Sequence, residues 1–189
     1  MYQTVLRDSS FFALLLQLDQ DLAAEVRAAG CACGEGSLHS AHYPRKPRGG
    51  PDGLGAEHCL RLSFCCSSCR KRVTPRSLRF LGRKVFFGVC VLLLPVLREG
   101  PTRERLRRLE EVFCISRRTL LRWRRFWREA VPGSRFWEAR RGRFSSPLAV
   151  EALPSSLLEA FTQAAPSERV LATLRFLSPL SCGHREQAF

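Results

Sequence analysis

Aspartate is scarce in this chain: Asp8, Asp19, Asp21 and Asp52 are the only four in 189 residues. Three of them fall in or beside one N-terminal stretch and the fourth sits in a Pro/Gly-rich loop. A two-metal nuclease or integrase needs carboxylates that converge from separate elements, and no such set can be picked out. There is also no phosphate-binding Gly-rich loop, no Gly-x-Ser-x-Gly and no nucleophile with an orienting base. These absences point away from an enzyme. His39-Ser-Ala-His42 is a lone pair, read as strand residues or as groups that support a site from behind, and not as catalysts.

Long apolar runs are missing too. The longest, Val85–Leu97, has 13 residues and contains Gly88 and Pro95. It is too short to span a bilayer and suits a buried helix, so no membrane partner is expected. The start carries Asp8 and lacks a basic segment followed by a small-residue cleavage site, so no secretory leader is expected. A cytoplasmic location follows as the expectation, nucleoid-associated if the chain holds DNA. In that setting clustered cysteines point to metal and not to disulfides.

Lysine is nearly missing as well, because 28 of the 31 basic residues are Arg and the net charge is +14. Arg forms forked bonds to phosphate and stacks on bases, so the balance favours a nucleic-acid partner. The charge is clustered: Arg98 to Phe144 holds 15 Arg against 6 Glu, +9 of the total.

What the chain has in plenty is cysteine in one place. Six of nine cysteines (31, 33, 59, 65, 66 and 69) and three of four histidines (39, 42 and 58) lie between 31 and 69. A tetrahedral zinc site takes four thiolate or imidazole ligands, and C-x-x-C lets one tight turn present two sulfurs to one ion. Cys66-Ser-Ser-Cys69 is such a half-site, and Cys31-Ala-Cys33 is the other, with a tighter turn. His39 or Cys59 could replace one member, and Cys65, adjacent to Cys66, is read as the spare. The expected set is Cys31, Cys33, Cys66 and Cys69. With no open position and no base nearby, the metal should be a closed, structural zinc. Cys90 and Cys114, within apolar stretches, are read as buried thiols.

The expected fold is mainly α, with a small β zinc-ribbon hairpin module and a helical domain containing a helix-turn-helix. Residues 1–30 form an N-terminal amphipathic helix, 31–76 the ribbon-like module, 77–145 the helical domain, and 146–189 C-terminal helices and a tail. The first helix covers about Ser9–Ala29, capped by Asp8, Ser9 or Ser10 and stopped by Gly30. Its stripe is Phe11, Leu15, Leu18, Leu22 and Val26, with Asp19 and Asp21 on a solvated flank. Leu38–Tyr43, Leu60–Phe64 and Arg70–Thr74 read as strands, Arg61 and Ser63 alternating with Leu60, Leu62 and Phe64.

The helix-turn-helix is expected at about 102–130. Thr102 can cap a helix over about Arg103–Val112, and Ser116 a second over Arg117–Ala130, with Leu120, Trp123, Trp127 and Val131 facing inward. Arg117, Arg118, Thr119 and Arg122 would contact bases or phosphates, with Arg125 and Arg128 beside them. In front, the loop Arg45, Lys46 and Arg48 and the strand Arg70, Lys71 and Arg72 would meet backbone phosphates. Ser134 should cap a short helix to about Arg141. Ser156-x-x-Glu159 reads as a capping box, Ser167 as the cap of a last helix over Glu168–Leu177, and the tail from Ser178 as frayed.

With these residues in view, the chain resembles the small bacterial proteins that pair a zinc ribbon with a transposase-type helix-turn-helix, often encoded with mobile elements. The resemblance rests on Cys31-Ala-Cys33-Gly, His42-Tyr-Pro-Arg-Lys-Pro-Arg-Gly49, Phe64-Cys-Cys-Ser-Ser-Cys-Arg70, Arg79-Phe-Leu-Gly-Arg83 and Ile115-Ser-Arg-Arg-Thr-Leu-Leu-Arg-Trp123. Glu35 stands where that pattern has a tighter Cys-Gly-Gly turn. The resemblance implies duplex DNA binding linked to an insertion element, without implying that the chain cuts DNA. The expected function is a non-enzymatic, zinc-containing DNA-binding protein. The alternatives are an adaptor that docks a recombinase or transposase, and an RNA-binding protein.

Overall fold

The computed structural model of the chain describes residues 2–82, 84–99, 107 and 115–182. Over these it is mainly helical with a small sheet. The helix expected at 103–112, apart from Arg107, and also Cys114 and the segment 183–189 lie outside the described residues.

A short helix α1 (Tyr2–Arg7) precedes α2 (Ser9–Ala29). Asp8 caps α2, its Oδ1 accepting from the backbone N–H groups of Ser10 (2.9 Å) and Phe11 (3.3 Å). Gly30 ends it at φ +76°, a conformation without steric cost only for glycine. Both ends therefore fall where the sequence places them. The buried face is rotated slightly from the expected stripe: Phe11, Phe12, Leu15, Asp19 and Ala23 are buried. Asp19 is thus an inward residue and not a solvated one.

The strands are β1 (Leu38–Ser40), β2 (Tyr43–Pro44), β3 (Leu60–Arg61), β4 (Phe64–Cys66) and β5 (Arg72–Val73). They form an antiparallel three-stranded sheet, β1-β4-β5, and a separate antiparallel pair, β2-β3. The expected Leu60–Phe64 strand is therefore split between two sheets. Its polar positions are buried along with Phe64: Arg61 is 2% and Ser63 0% exposed. The Arg61 guanidinium reaches the carbonyls of Pro75 and Ser181, and the Ser63 hydroxyl donates to Ala41 O. Those partners, distant in sequence, overturn the simple alternation.

The remaining described helices are α3 (Gly88–Glu99), α4 (Arg117–Arg125), α5 (Arg135–Arg140), α6 (Ser155–Glu159) and α7 (Pro166–Leu177). α3 is the centre of the core, with Val89–Leu93 fully buried and Leu94 nearly so. Pro95 lies inside it. A proline has no N–H for the carbonyl four residues back, so Val91 O is left without its helical donor. The Trp127 indole N–H donates to that oxygen at 2.9 Å, and both groups are satisfied in the interior.

Ser116 caps α4 as expected, its hydroxyl accepting from Thr119 N. The helix continues to Ala130 through a wider π turn, Phe126–Ala130, closed by Val131 N–H to Phe126 O at 2.9 Å. Leu120, Trp123, Trp127 and Val131 are all buried. Ser134 likewise caps α5 through Trp137 N.

Three expectations near the C-terminus are corrected. The Ser156–Glu159 box does not form, because the Ser156 hydroxyl donates to Ala149 O instead. α7 begins at Pro166, whose fixed φ suits the first turn, so Ser167 is inside the helix and not its cap. Ser178–Ser181 is a buried 3₁₀ turn, held where Ser77 N donates to the Ser181 hydroxyl at 2.7 Å. It is not frayed.

Two apolar clusters result. The larger joins α1, the first half of α2, α3, α4 and the C-terminal helices; the smaller holds Ala23, Leu38, Phe64 and Cys66 beneath the sheet. α2, 21 residues long, is about 30 Å in length at 1.5 Å per residue and contributes to both. Asp19 sits where they meet. It accepts from the Ser77 hydroxyl, from Leu78 N at 2.6 Å and from Arg79 Nε at 2.8 Å. Arg79, fully buried, spends its other donors on the carbonyls of Glu57, His58 and Leu60. This ion pair fixes the strand module to the helices.

Candidate metal centre

Cys31 and Cys33 come from the turn after α2, Cys66 from the end of β4 and Cys69 from the turn that joins β4 to β5. The four Sγ atoms all lie within 4.8 Å of one another. Cys31 Sγ is 3.6 Å from Cys69 Sγ, and Cys33 Sγ is 3.6 Å from Cys66 Sγ. Sulfurs about 2.3 Å from a tetrahedral ion stand roughly 3.8 Å apart, so the set fits one tetrathiolate metal.

The strand register decides which cysteines join. Leu38 pairs with Cys66 and His39 with Cys65. Neighbours in a strand point to opposite faces, so Cys66 enters the cluster and Cys65 leaves it. Cys65 Sγ is bonded instead to the carbonyls of Arg70 and Cys66. His39 Nε2 meets the Ser37 hydroxyl at 3.2 Å, and neither it nor Cys59 belongs to the cluster. His42 is likewise structural, its Nδ1 accepting from Ser63 N and its ring lying edge-on to Phe64.

Backbone geometry holds the two turns together. Gly34 N–H bonds Cys31 O at 2.9 Å with Gly34 at φ +75°, and Ser67 N–H bonds Ser37 O at 3.0 Å. Gly36 is the residue that sequence reasoning missed. A Cβ there would stand 2.5 Å from Cys66 Sγ and 2.7 Å from Ser68 N, so only glycine lets the first turn lie against the second. Glu35 extends outward and accepts from the Ser68 hydroxyl, so its side chain leaves the turn undisturbed.

The thiols are unequal. The backbone N–H of Glu35 and hydrogen bonds from the Cys31 and Cys66 thiols bring Cys33 down to about 6. The Cys33 N–H favours the Cys31 thiolate, but the other thiols and desolvation outweigh it and push Cys31 up to about 12. One thiolate forms readily and the next is opposed by it. A divalent cation removes that opposition, which is the chemistry of a metal-binding donor set.

The basic candidates differ in exposure and in what holds them. Arg45 donates to the carbonyls of Gly82 (3.1 Å) and Lys84 (2.9 Å), with its guanidinium over the Phe80 ring. Arg45 thus braces the loop against the segment that follows Phe80. Arg72 is exposed, yet it reaches Ala41 O and the Ser63 hydroxyl and lies over Tyr43. Lys46, Arg48, Arg70 and Lys71 are exposed. On α4, Arg117, Arg118, Arg122 and Arg125 are exposed, with Arg125 paired to Glu129 at 2.7 Å; Arg128 is exposed on the π turn. Arg48, Thr119 and Arg122 come together at one cleft, where they meet Lys84, a residue the sequence reading left outside the site.

Comparison with protein-family models, with curated proteins and with solved structures finds no match to the chain. Among the described residues, no helix is long and apolar enough to cross a membrane.

Proposed function

We propose that Cys31, Cys33, Cys66 and Cys69 hold one structural zinc ion, and that the chain is a non-enzymatic protein that binds duplex DNA through the Arg117–Arg128 segment. The observation that carries this reading is the state of α4. Its cap and its buried Leu120 and Trp123 fix the helix, while Arg117, Arg118 and Arg122 stand exposed and pair with no carboxylate among the described residues. A fixed helix with exposed guanidinium groups in its first turns, Arg122 steadied by the Thr119 hydroxyl at 3.2 Å, suits a DNA groove. The helix expected to precede it lies outside the described residues, and the reading rests on α4.

A structural metal agrees with four thiol donors, since a catalytic zinc keeps a position open. The aspartates are committed elsewhere: Asp8 caps α2, Asp19 pairs with Arg79, Asp21 accepts from Gln17 and Asp52 is in a loop turn. The resemblance to transposon-linked proteins supports a setting beside a transposase or recombinase.

Fluorescence anisotropy with a labelled duplex tests the reading. Affinity should fall steeply with salt, because each neutralised phosphate releases counterions. Arg118→Glu combined with Arg122→Glu should abolish binding with helicity intact. A flat salt response, or unchanged affinity in the double variant, would remove the assignment. Competition with single-stranded RNA separates DNA from RNA as the target.

A further inference from the structure

The cleft where Arg48 meets α4 has a volume of about 520 Å³, within the range of small-ligand sites, roughly 300–1,000 Å³. Among the described residues three cations line it, Arg48, Lys84 and Arg122, and no carboxylate does. Its other wall is aromatic, made by Phe86, Trp123 and Phe126.

Its parts are held in place. Arg48 N–H bonds Val85 O at 2.9 Å and Phe87 N–H bonds Arg48 O at 3.1 Å, so the basic loop is stitched to the segment bearing Lys84. Phe86 meets Trp123 edge-on at 5.0 Å. Thr119, Arg122, Trp123 and Phe126 are spaced at three, four and seven residues, which puts them on one face of the helix. Phe126 opens the π turn, a feature that often marks functional sites.

Lys84 is the informative residue. Its Nζ lies 3.5 Å from the centre of the Phe126 ring, and no carboxylate bonds it among the described residues. Burial pulls its ammonium down to about 8. A desolvated cation without a counter-charge is costly, and an anion at the mouth of the cleft would supply the missing partner.

We infer that this cleft binds a nucleoside phosphate group, its phosphate held by Arg48, Lys84 and Arg122 and its base against the Phe86–Trp123–Phe126 wall. The group can come from a free nucleotide or from an unpaired nucleotide at a strand end. Arg122 is shared with the proposed duplex-binding segment, but neither source requires duplex binding by Arg117 and Arg118, so the two readings are tested separately.

Trp123 lines the cleft, so the tryptophan fluorescence of the full chain can report titrations with dAMP, deoxyadenosine, inorganic phosphate, a blunt duplex and a duplex carrying one unpaired 5′-phosphorylated nucleotide. dAMP or the overhang should bind at least tenfold tighter than deoxyadenosine or phosphate alone; dAMP favoured marks a free nucleotide, and the overhang favoured over the blunt duplex marks a strand end. Lys84→Met should weaken that binding about tenfold and leave blunt-duplex affinity within twofold, and Arg48→Gln, at an exposed position, should also weaken dAMP binding about tenfold. Arg117→Glu with Arg118→Glu should do the reverse with dAMP. The inference is overturned if neither dAMP nor the overhang binds preferentially, if either part alone matches dAMP, or if both cleft variants bind like the native chain.

Discussion

Under the sheet, the buried apolar set is Ala23, Leu38, Phe64 and Cys66; around α3 it includes three tryptophans, six phenylalanines and the Val89–Leu94 run. The strand module has strands of two or three residues and a buried apolar core of four residues. Modules of about 40 residues bury too little surface to offset chain entropy and need a metal, disulfides or a partner. Here the four thiols stand where the missing core would be. The helices need no such help. Under the proposed zinc, the cysteines are a folding device for one region, while α2 and the Asp19–Arg79 pair carry its position to the other.

The largest expected effect separates the two regions outright. Structural zinc contributes on the order of 10 kcal/mol in small domains, so chelation should remove amide protection across 31–73. Protection in α3 and in 117–131 should persist, as hydrogen exchange followed by mass spectrometry would read. Uniform loss over both regions would break the comparison.

Asp19→Ala strikes the junction. Removing one partner of a buried pair leaves Arg79 uncompensated and should cost about 3–5 kcal/mol in denaturant unfolding. Both regions should loosen together, in contrast to chelation. A loss under 1 kcal/mol would show that the pair does not couple them.

Trp127→Phe tests the helical side alone. Val91 O, already deprived of a helical donor by Pro95, would lose its indole partner, at a cost of about 1–3 kcal/mol with metal content unchanged. Gly36→Ala tests the sheet side alone. The added methyl meets Cys66 Sγ and the Ser68 backbone, so metal affinity should fall while the melting of α3 stays put. Smallest is Ser116→Ala, which removes the α4 cap at a cost of about 1 kcal/mol, visible as extra exchange in the first turn.

The part of this account legible in the sequence is the part set by local chemistry. The ends of α2, the Ser116 and Ser134 caps, the Leu120–Trp123–Trp127 stripe and the four cysteines all depend on residues a few positions apart or on a turn of known shape. What was hidden depends on partners far along the chain. Asp19 looks solvated until Ser77 and Arg79 are beside it, Arg61 looks like a surface strand residue until Pro75 and Ser181 receive it, and Ser178–Ser181 looks like a tail until Ser77 binds it. Lys84 had one signal in the sequence, as one of three lysines in an arginine-rich chain beside an aromatic run. Gly36 had none beyond being a glycine near a thiol.

The most direct measurement is metal content, by elemental analysis of the purified chain and by cobalt substitution, for the native protein beside Cys65→Ser and Cys66→Ser. The account predicts one ion per chain with a tetrathiolate cobalt spectrum, retained in Cys65→Ser and lost in Cys66→Ser. A chain that binds no metal, or one that keeps its ion without Cys66, would contradict it.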